Sequence, residues 1–560
     1  MSKRPNDGTL SAPPPSKRSR VTRAGNRTAD RLSSLSDEIL LHILSYLPIP
    51  SLLVCQSVSR RFHILAGDSE LWKRKYYSRW VRPRARRLAN GKRASSLRPK
   101  FQYSPKVSTW LDHSHLAKEG SATNWKRQYR LRHNWSRGAC RVSEVAFPQP
   151  PRSPLLVDFC AGYVFTADSD HGLRAWNSGD PKSCLATAPF DGPGPQSANV
   201  PTALAASRCP QRDLVYVAVG FESGCFSIYH LDSNTSQLKT HSSHGDSSGG
   251  AITAIALSFP YILMVSKHKD LSLYRVPAND DASDTSEPPQ KAHRLASLTG
   301  ESILTPMSLS IRVTGGEIIS SVVFSFFHIG CGWSLGIQEV HFDQRGEQIA
   351  SRLTTTVDSQ YGLMSATPPT ESTAESLISR RQNSTSIEPS ISHHEPPTSV
   401  SYSHPYLLSS HRDNTLTVYL VVSTADGLYV KGAQRLWGHT SSVSTVQVSD
   451  RGKAISVSAQ GGEIRIWELE TLISLFGTAR AFREEKSIQV SPENEKHGQR
   501  ESLTLLSVAP LCETGENRSP SEASCQECQK RGCIGFDDER VLLIRENQLG
   551  TRFLELYDFT

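Results

Sequence analysis

The sequence predicts a multidomain α+β chain: a small helical unit near the N-terminus, a basic helical connector, then a long all-β domain of repeats. Three observations carry this. Apolar residues recur at helical spacing between residues 32 and 77, and Lys and Arg crowd the stretch that follows. Beyond Arg141, strand-like alternation and turn residues displace helical periodicity. At 560 residues the chain has room for two or three domains with a sizeable core. Only 37% is apolar, with 36 Gly and 33 Pro, as suits a turn-rich protein with long polar loops.

Residues 1–30 are rich in Pro, Ser, Arg and Lys and nearly lack large apolar side chains, so a disordered basic tail is expected. Lys3-Arg4 and Lys17-Arg18-Ser19-Arg20 flank a Pro-rich spacer, a pattern that resembles a bipartite nuclear import signal. A solubilising tail explains it equally well. The 11 scattered cysteines and the absence of an apolar leader point to free thiols in a reducing nucleus or cytoplasm. Ile318 to Ile337 carries no charge and is long enough for a membrane span, but Ser320, Ser321, Ser325, His328, Gly330 and Gly332 dilute it. Two buried strands joined by a turn at Gly330 to Gly332 are expected instead, with no membrane contact.

Residues 31–77 read as three short helices. Ser36 can cap the first, Asp37 and Glu38 suit its dipole, and Ile39, Leu40, Ile43, Leu44 and Leu47 follow at helical spacing until Pro48. Pro50-Ser51 starts a second helix with Leu52, Leu53, Cys55 and Val58. The third follows Ser59 and carries Phe62, Leu65, Leu71 and Trp72. Helices this short are marginal in water, and the first is apolar on more than one face. The unit therefore needs a second burial partner, which is the property of a docking module.

Leu35-Ser36-Asp37-Glu38-Ile39-Leu40, Ile43-Leu44-Ser45-Tyr46-Leu47-Pro48, Val58-Ser59-Arg60-Arg61-Phe62 and Leu71-Trp72-Lys73 together resemble an F-box in order and spacing. The family usually has Pro where this chain has Ser36, which exchanges a fixed φ for a cap. The resemblance implies that Leu35, Ile39, Leu47, Pro48 and Val58 face the Skp-type adaptor of an SCF ubiquitin ligase, with its cullin and RING subunits.

Residues 78–140 form the basic connector. From Lys73 to Arg141 there are 20 Lys and Arg against Asp112 and Glu119, so the net charge of +9 belongs to this segment and the remainder is acidic. Leu111 to Leu116 and Asn124 to His133 read as helical, with Trp110, Trp125, Tyr129 and Leu131 as packing residues. Trp125-Lys126-Arg127-Gln128-Tyr129 and Asn134-Trp135-Ser136-Arg137-Gly138 resemble the connector of F-box/WD-repeat proteins, which implies a rigid joint.

In residues 141–560 one block is sharp: Leu436-Trp437-Gly438-His439, then Ser449-Asp450-Arg451-Gly452, then Gly462-Glu463-Ile464-Arg465-Ile466-Trp467-Glu468. It resembles a WD repeat. Its last strand has echoes ending near Trp176, Tyr229, Tyr274, Val340, Tyr419 and Tyr557, which makes an all-β propeller of about seven blades, with six or eight left open. Polar stretches near 277–291, 367–398, 484–500 and 513–531 are expected to be disordered insertions between strands. Arg141 to Phe147 is expected to pair with the final strand and close the ring. The family's His–Asp–Trp network is incomplete in every blade: the sixth has Gly461 in place of Asp, and the first has Asp170 and Trp176 without Gly-His.

No catalytic constellation is present in the sequence: no phosphate-cradling Gly loop, nucleophile elbow or paired metal-binding histidines. A non-catalytic subunit without cofactor is expected. Cys512, Cys525, Cys528 and Cys533 have partial zinc-knuckle spacing, but lie in a polar insertion with no second CxxC, so unliganded thiols are favoured. Some F-box/WD-repeat receptors grip phosphorylated degrons with arginines. At the matching positions the sixth blade has Ser444 and Gln460, whereas Arg412 fits in the fifth and Lys267 loosely in the third. Arg412 as an ordinary solvated turn residue is the plainer reading.

The function expected is therefore substrate recognition for an SCF-type ligase, with an unknown target. Two rivals stand beside it. One is a scaffold whose F-box binds the adaptor without delivering a substrate. The other is a nuclear nucleic-acid binder using the basic connector, with Trp110, Trp125 and Trp135 stacking on bases.

Overall fold

The computed structural model describes residues 32, 34–83, 123–145, 155–190, 200–209, 213–245, 249–277, 292–300, 304–360, 391–424, 427–459, 462–470, 487–492, 530–546 and 552–560. The chain divides into two units, Met1–Trp80 and Val81–Thr560.

The first unit contains α1 (Asp37–Tyr46), α2 (Ile49–Val58), α3 (Arg60–Ala66) and α4 (Ser69–Tyr76). The single third helix expected from the sequence is thus two. Gly67 closes α3, and Asp68 opens α4 by accepting the N–H groups of Glu70 and Leu71. Ser59 caps α3 through its hydroxyl, which accepts from the Phe62 N–H at 3.3 Å. Ser36 stands at the start of α1 but makes no side-chain cap bond; its φ of −66° is the value a proline would fix. Asp37 is instead held by Arg61 at 2.6 Å, and the same guanidinium donates to the Leu35 carbonyl at 2.6 Å.

Leu40, Leu44, Leu52, Leu65, Ala66 and Leu71 form the core of this unit. The Lys75 ammonium donates to the Ser45 and Leu47 carbonyls at 2.7 Å each, satisfying orphan acceptors at the end of α1.

The second unit is a seven-bladed propeller. Blades 1 to 6 are four-stranded antiparallel sheets spanning residues 156–188, 201–244, 252–299, 304–355, 399–436 and 443–489. Blade 7 takes three strands from residues 530–558 and its fourth from β1 (Ala139–Val145). Pairing from Arg141↔Asp558 to Val145↔Leu554 closes the ring and removes a sheet edge. The core is a ring as well: seven apolar clusters, one at each junction between neighbouring blades. Trp176, Tyr229, Tyr274, Val340, Tyr419, Trp467 and Tyr557 are all buried on third strands.

The uncharged stretch forms a hairpin in blade 4, paired from Ile318↔Phe342 to His328↔Gly332. Among the described residues no helix is long and apolar enough to cross a membrane. Parts of three stretches expected as insertions are ordered structure. His393 is buried against Thr417, residues 488–492 supply edge strands to blades 6 and 7, and Lys530 and Arg531 begin a blade 7 strand. The sequence alone hid these because polar residues satisfied at a blade edge have the composition of loops. The remainder of those stretches, the tail 1–30 and the helix expected at Leu111 to Leu116 lie outside the described residues.

Helix α5 (Trp125–Arg137) leads into β1 and packs on the propeller. Asn124 caps its start by accepting the Arg127 N–H at 3.0 Å. Gly138 ends it at φ +70°, where any Cβ would strike the Gln489 carbonyl, so only glycine fits. In each blade the second strand ends and the third begins on the same face as the start of the first strand, because successive strands are antiparallel. Helix α5 meets the other face, where it touches Asp538, Glu539 and Phe559. The face with the second-to-third turns is called the far face below.

Candidate functional site

Among the described residues, two surfaces expose side chains suited to binding. On the helical unit, α1 and α2 bury one face each and leave apolar side chains in solvent. Ile39 is 50% exposed and Val58 66%, accompanied by Ile43, Tyr46, Leu53 and Val54, and by Ile64 of α3. Pro48 is exposed as well. Leu35 and Leu47 differ: both are half-buried and pack on the core of the unit. Of the five residues the resemblance pointed to, three are therefore surface and two partly structural. Tyr46, Leu53, Val54 and Ile64 were not assigned to the adaptor-facing surface, although the excess of apolar residues over one helical face was their signal.

On the propeller, Lys267 and Arg412 both occupy second-to-third turns, in blades 3 and 5. They share the far face but are separated by blade 4. Lys267 is exposed, and Arg412 is 71% exposed with Glu395 at 4.0 Å. Ser444 of blade 6 does not face outward as a binding group, since its hydroxyl donates to the Val457 carbonyl at 3.0 Å. Gln460 and Gly461 lie outside the described residues.

The networks beneath that face amend the sequence reading. In blade 6 the Ser456 hydroxyl joins His439 Nε2 at 2.6 Å and Trp467 Nε1 at 2.8 Å. Glu463, two residues beyond Gly461, supplies a carboxylate 3.5 Å from His439 Nδ1 and accepts the Thr440 N–H at 2.8 Å. Burial holds the His439 imidazole down at about 4, so it is neutral here. In blade 1 the buried acid is Asp168, not the exposed Asp170. Asp168 accepts two backbone N–H groups and pairs with Arg174 at 2.6 Å.

The basic connector offers less to nucleic acid than its composition suggested. Trp125 and Trp135 are both buried, Trp135 at the junction of blades 6 and 7, so neither is open for a base, and Trp110 lies outside the described residues. Of the four clustered cysteines, Cys533 falls within a blade 7 strand and the other three lie outside the described residues. Among the described residues no group of three or more His, Cys, Asp or Glu could hold a metal ion.

Residues 140–560 match the sequence family described as the F-box protein pof12 β-propeller. The chain belongs to this family. Residues 32–78 also match the F-box-like description, so α1 to α4 are an F-box of this pof12-type protein. F-box protein pof12 of Schizosaccharomyces pombe (strain 972 / ATCC 24843) is 23% identical over 452 residues, 78% of this chain and 84% of the relative. F-box protein dre-1 of Caenorhabditis elegans is 45% identical over 47 residues, which is 8% of this chain and 5% of that relative. Among solved structures, the β-propeller domain of Cps50 (Swd1) from Myceliophteria thermophila is similar at 11% identity and a TM-score of 0.37, over 75% of this chain and 100% of that one. The blade count of this family member rests on its own sheet order.

Proposed function

We propose that the chain is the substrate-recognition subunit of an SCF-type ubiquitin ligase. The observation that carries this is the pairing, in one F-box protein, of a helical unit with exposed apolar side chains on α1 and α2 and a closed propeller with exposed turns on its far face. The apolar side chains of α1 and α2 dock on a Skp-type adaptor, through which cullin and RING subunits are reached. The propeller holds the target. Catalysis is left to the conjugating enzyme: the chain contributes proximity, presenting a target lysine at high effective concentration. A nuclear or cytoplasmic location fits this role.

The test uses Ile39→Asp and Val58→Asp together, in the full chain. Both side chains are exposed, so the core Leu40, Leu44 and Leu52 is untouched. Loss of adaptor and cullin capture, with an unchanged propeller unfolding transition, is the expected result. Cullin recovered at the level of the unmodified chain would refute the reading. Capture of adaptor but never of cullin by the unmodified chain would favour a scaffold instead.

A further inference from the structure

The turns of the far face differ in chemistry from one side of the ring to the other. Blades 1 and 2 present exposed Asp170 and Glu222 in their second-to-third turns, with no Lys or Arg, whereas Glu463 of blade 6 is turned inward. Blade 3 presents Lys267 and Lys269, and blade 5 presents Arg412 beside Asp413. Between those two turns, blade 4 presents an apolar one. Ile329 at its tip is 97% exposed and Phe327 beside it 59%. Trp333 meets Phe327 edge to face, ring centroids 6.0 Å apart.

This turn is held in shape from below. The Trp333 N–H donates to the His393 carbonyl at 2.8 Å, and Gly332 at φ +71° bridges His393 so closely that a Cβ would strike its carbonyl oxygen. An apolar side chain so exposed on a fixed turn is a preorganised anchor point, because little ordering remains to be done on binding. Arg412 lies 4.0 Å from Glu395, too far for a hydrogen bond, so its exposed guanidinium keeps donors for an incoming carboxylate, whereas Arg435 is already engaged by the Ser392 carbonyl at 3.2 Å.

We propose that Phe327, Ile329 and Trp333 take up a bulky apolar side chain of an unphosphorylated acidic target segment, whose carboxylates meet Lys267 and Arg412 in the flanking turns. This rests on the reading of the propeller as a target receptor and names the class of target. Charge selects the side of the ring, since an acidic segment is repelled by Asp170 and Glu222 in the turns of blades 1 and 2 and attracted to Lys267 and Lys269 in the turn of blade 3. The apolar contact sets the register.

The experiment measures fluorescence anisotropy of short synthetic peptides with the full chain. One peptide has a central Phe between Glu and Asp residues, a second has Ser at the centre, and a third has Lys flanks. Saturable binding is expected for the first alone. Ile329→Asp should weaken it by at least about tenfold, Ile329→Leu should preserve it, and Lys267→Glu with Arg412→Glu should weaken it as well. No binding of the Phe peptide, equal binding of the Ser peptide, binding only after a phosphate is added, or indifference to Ile329→Asp would each overturn the proposal. Adaptor capture by the same Ile329→Asp protein is read in parallel. If the peptides fail while capture persists, only this assignment falls; if the unmodified chain captures no adaptor, the ligase reading itself falls.

Discussion

Trp135 lies flat on Phe559, ring centroids 4.1 Å apart and planes within 14°, which binds the helix before β1 to the strand that β1 pairs with. The indole also donates to the Asp538 carbonyl at 2.7 Å, and the Lys453 ammonium sits 4.3 Å from its ring centroid. Three parts of the chain far apart in sequence thus meet at one side chain, at the junction that closes the ring. Trp135→Ala should cost the second unit about 3–5 kcal/mol, as expected for a large buried aromatic. Trp135→Phe keeps the stack and loses the hydrogen bond, a loss of about 1 kcal/mol. Chemical denaturation followed by circular dichroism distinguishes them, and equal midpoints for the two variants would show that the stack does not hold the junction.

Blade 1 supplies a sharper contrast. The Asp168 carboxylate and the Arg174 guanidinium are both buried and paired at 2.6 Å, with Arg174 also 5.1 Å from the Trp176 ring. Removing one partner leaves a buried charge uncompensated, so Asp168→Asn should destabilise by about 3–5 kcal/mol. Asp170→Asn, two residues away on the surface, should leave the unfolding midpoint unchanged. If the two variants behave alike, the pair has been misjudged.

Why the sequence pointed to Asp170 is instructive. Spacing from Trp176 identifies an acid near the turn, but cannot tell which of two acids two residues apart turns inward; burial decides, and burial depends on neighbours in space. The same limit applies at Gly461, where the expected acid is missing and Glu463 reaches the site from two residues on. By contrast the pairing of Arg141 with the last strand was legible, because a propeller with an open edge is improbable on general grounds and the alternation at that end is plain. The F-box was legible from its apolar spacing. Its surface was less so: half-buried Leu35 and Leu47 and exposed Ile39 and Val58 are alike in pattern, and only packing separates them.

The blade 6 hydroxyl makes a third test. Ser456 is fully buried and connects His439 Nε2 to Trp467 Nε1, so Ser456→Ala strands two polar groups at once. Each should cost about 1–3 kcal/mol. Ser456→Thr retains the hydroxyl and should recover part of the loss. Unfolding midpoints of the two variants check this, and an Ala variant as stable as the parent would mean that water replaces the hydroxyl.

Acid should weaken the propeller before it reaches the carboxylates. His393 and His411 stack at 3.7 Å, bonded to Thr417 and Ser409 respectively, and His439 is buried in blade 6. Burial, with Arg435 beside His393 and the paired imidazole beside His411, holds these rings down at about 4 and about 3, and burial holds His439 at about 4. Their ordinary value is 6.5. All three are therefore neutral when folded but protonate readily when unfolded, so unfolding takes up protons as the pH falls. Their contribution is fully present above about pH 6.5 and is lost progressively as the pH drops towards about 4. The denaturation midpoint of the full chain should decline across that window, and His439→Gln should make the decline shallower by removing one of the three. A midpoint that stays level between about pH 6.5 and 4.5 would mean that these imidazoles take up protons in the folded state, and the blade networks would have to be redrawn with charged histidines.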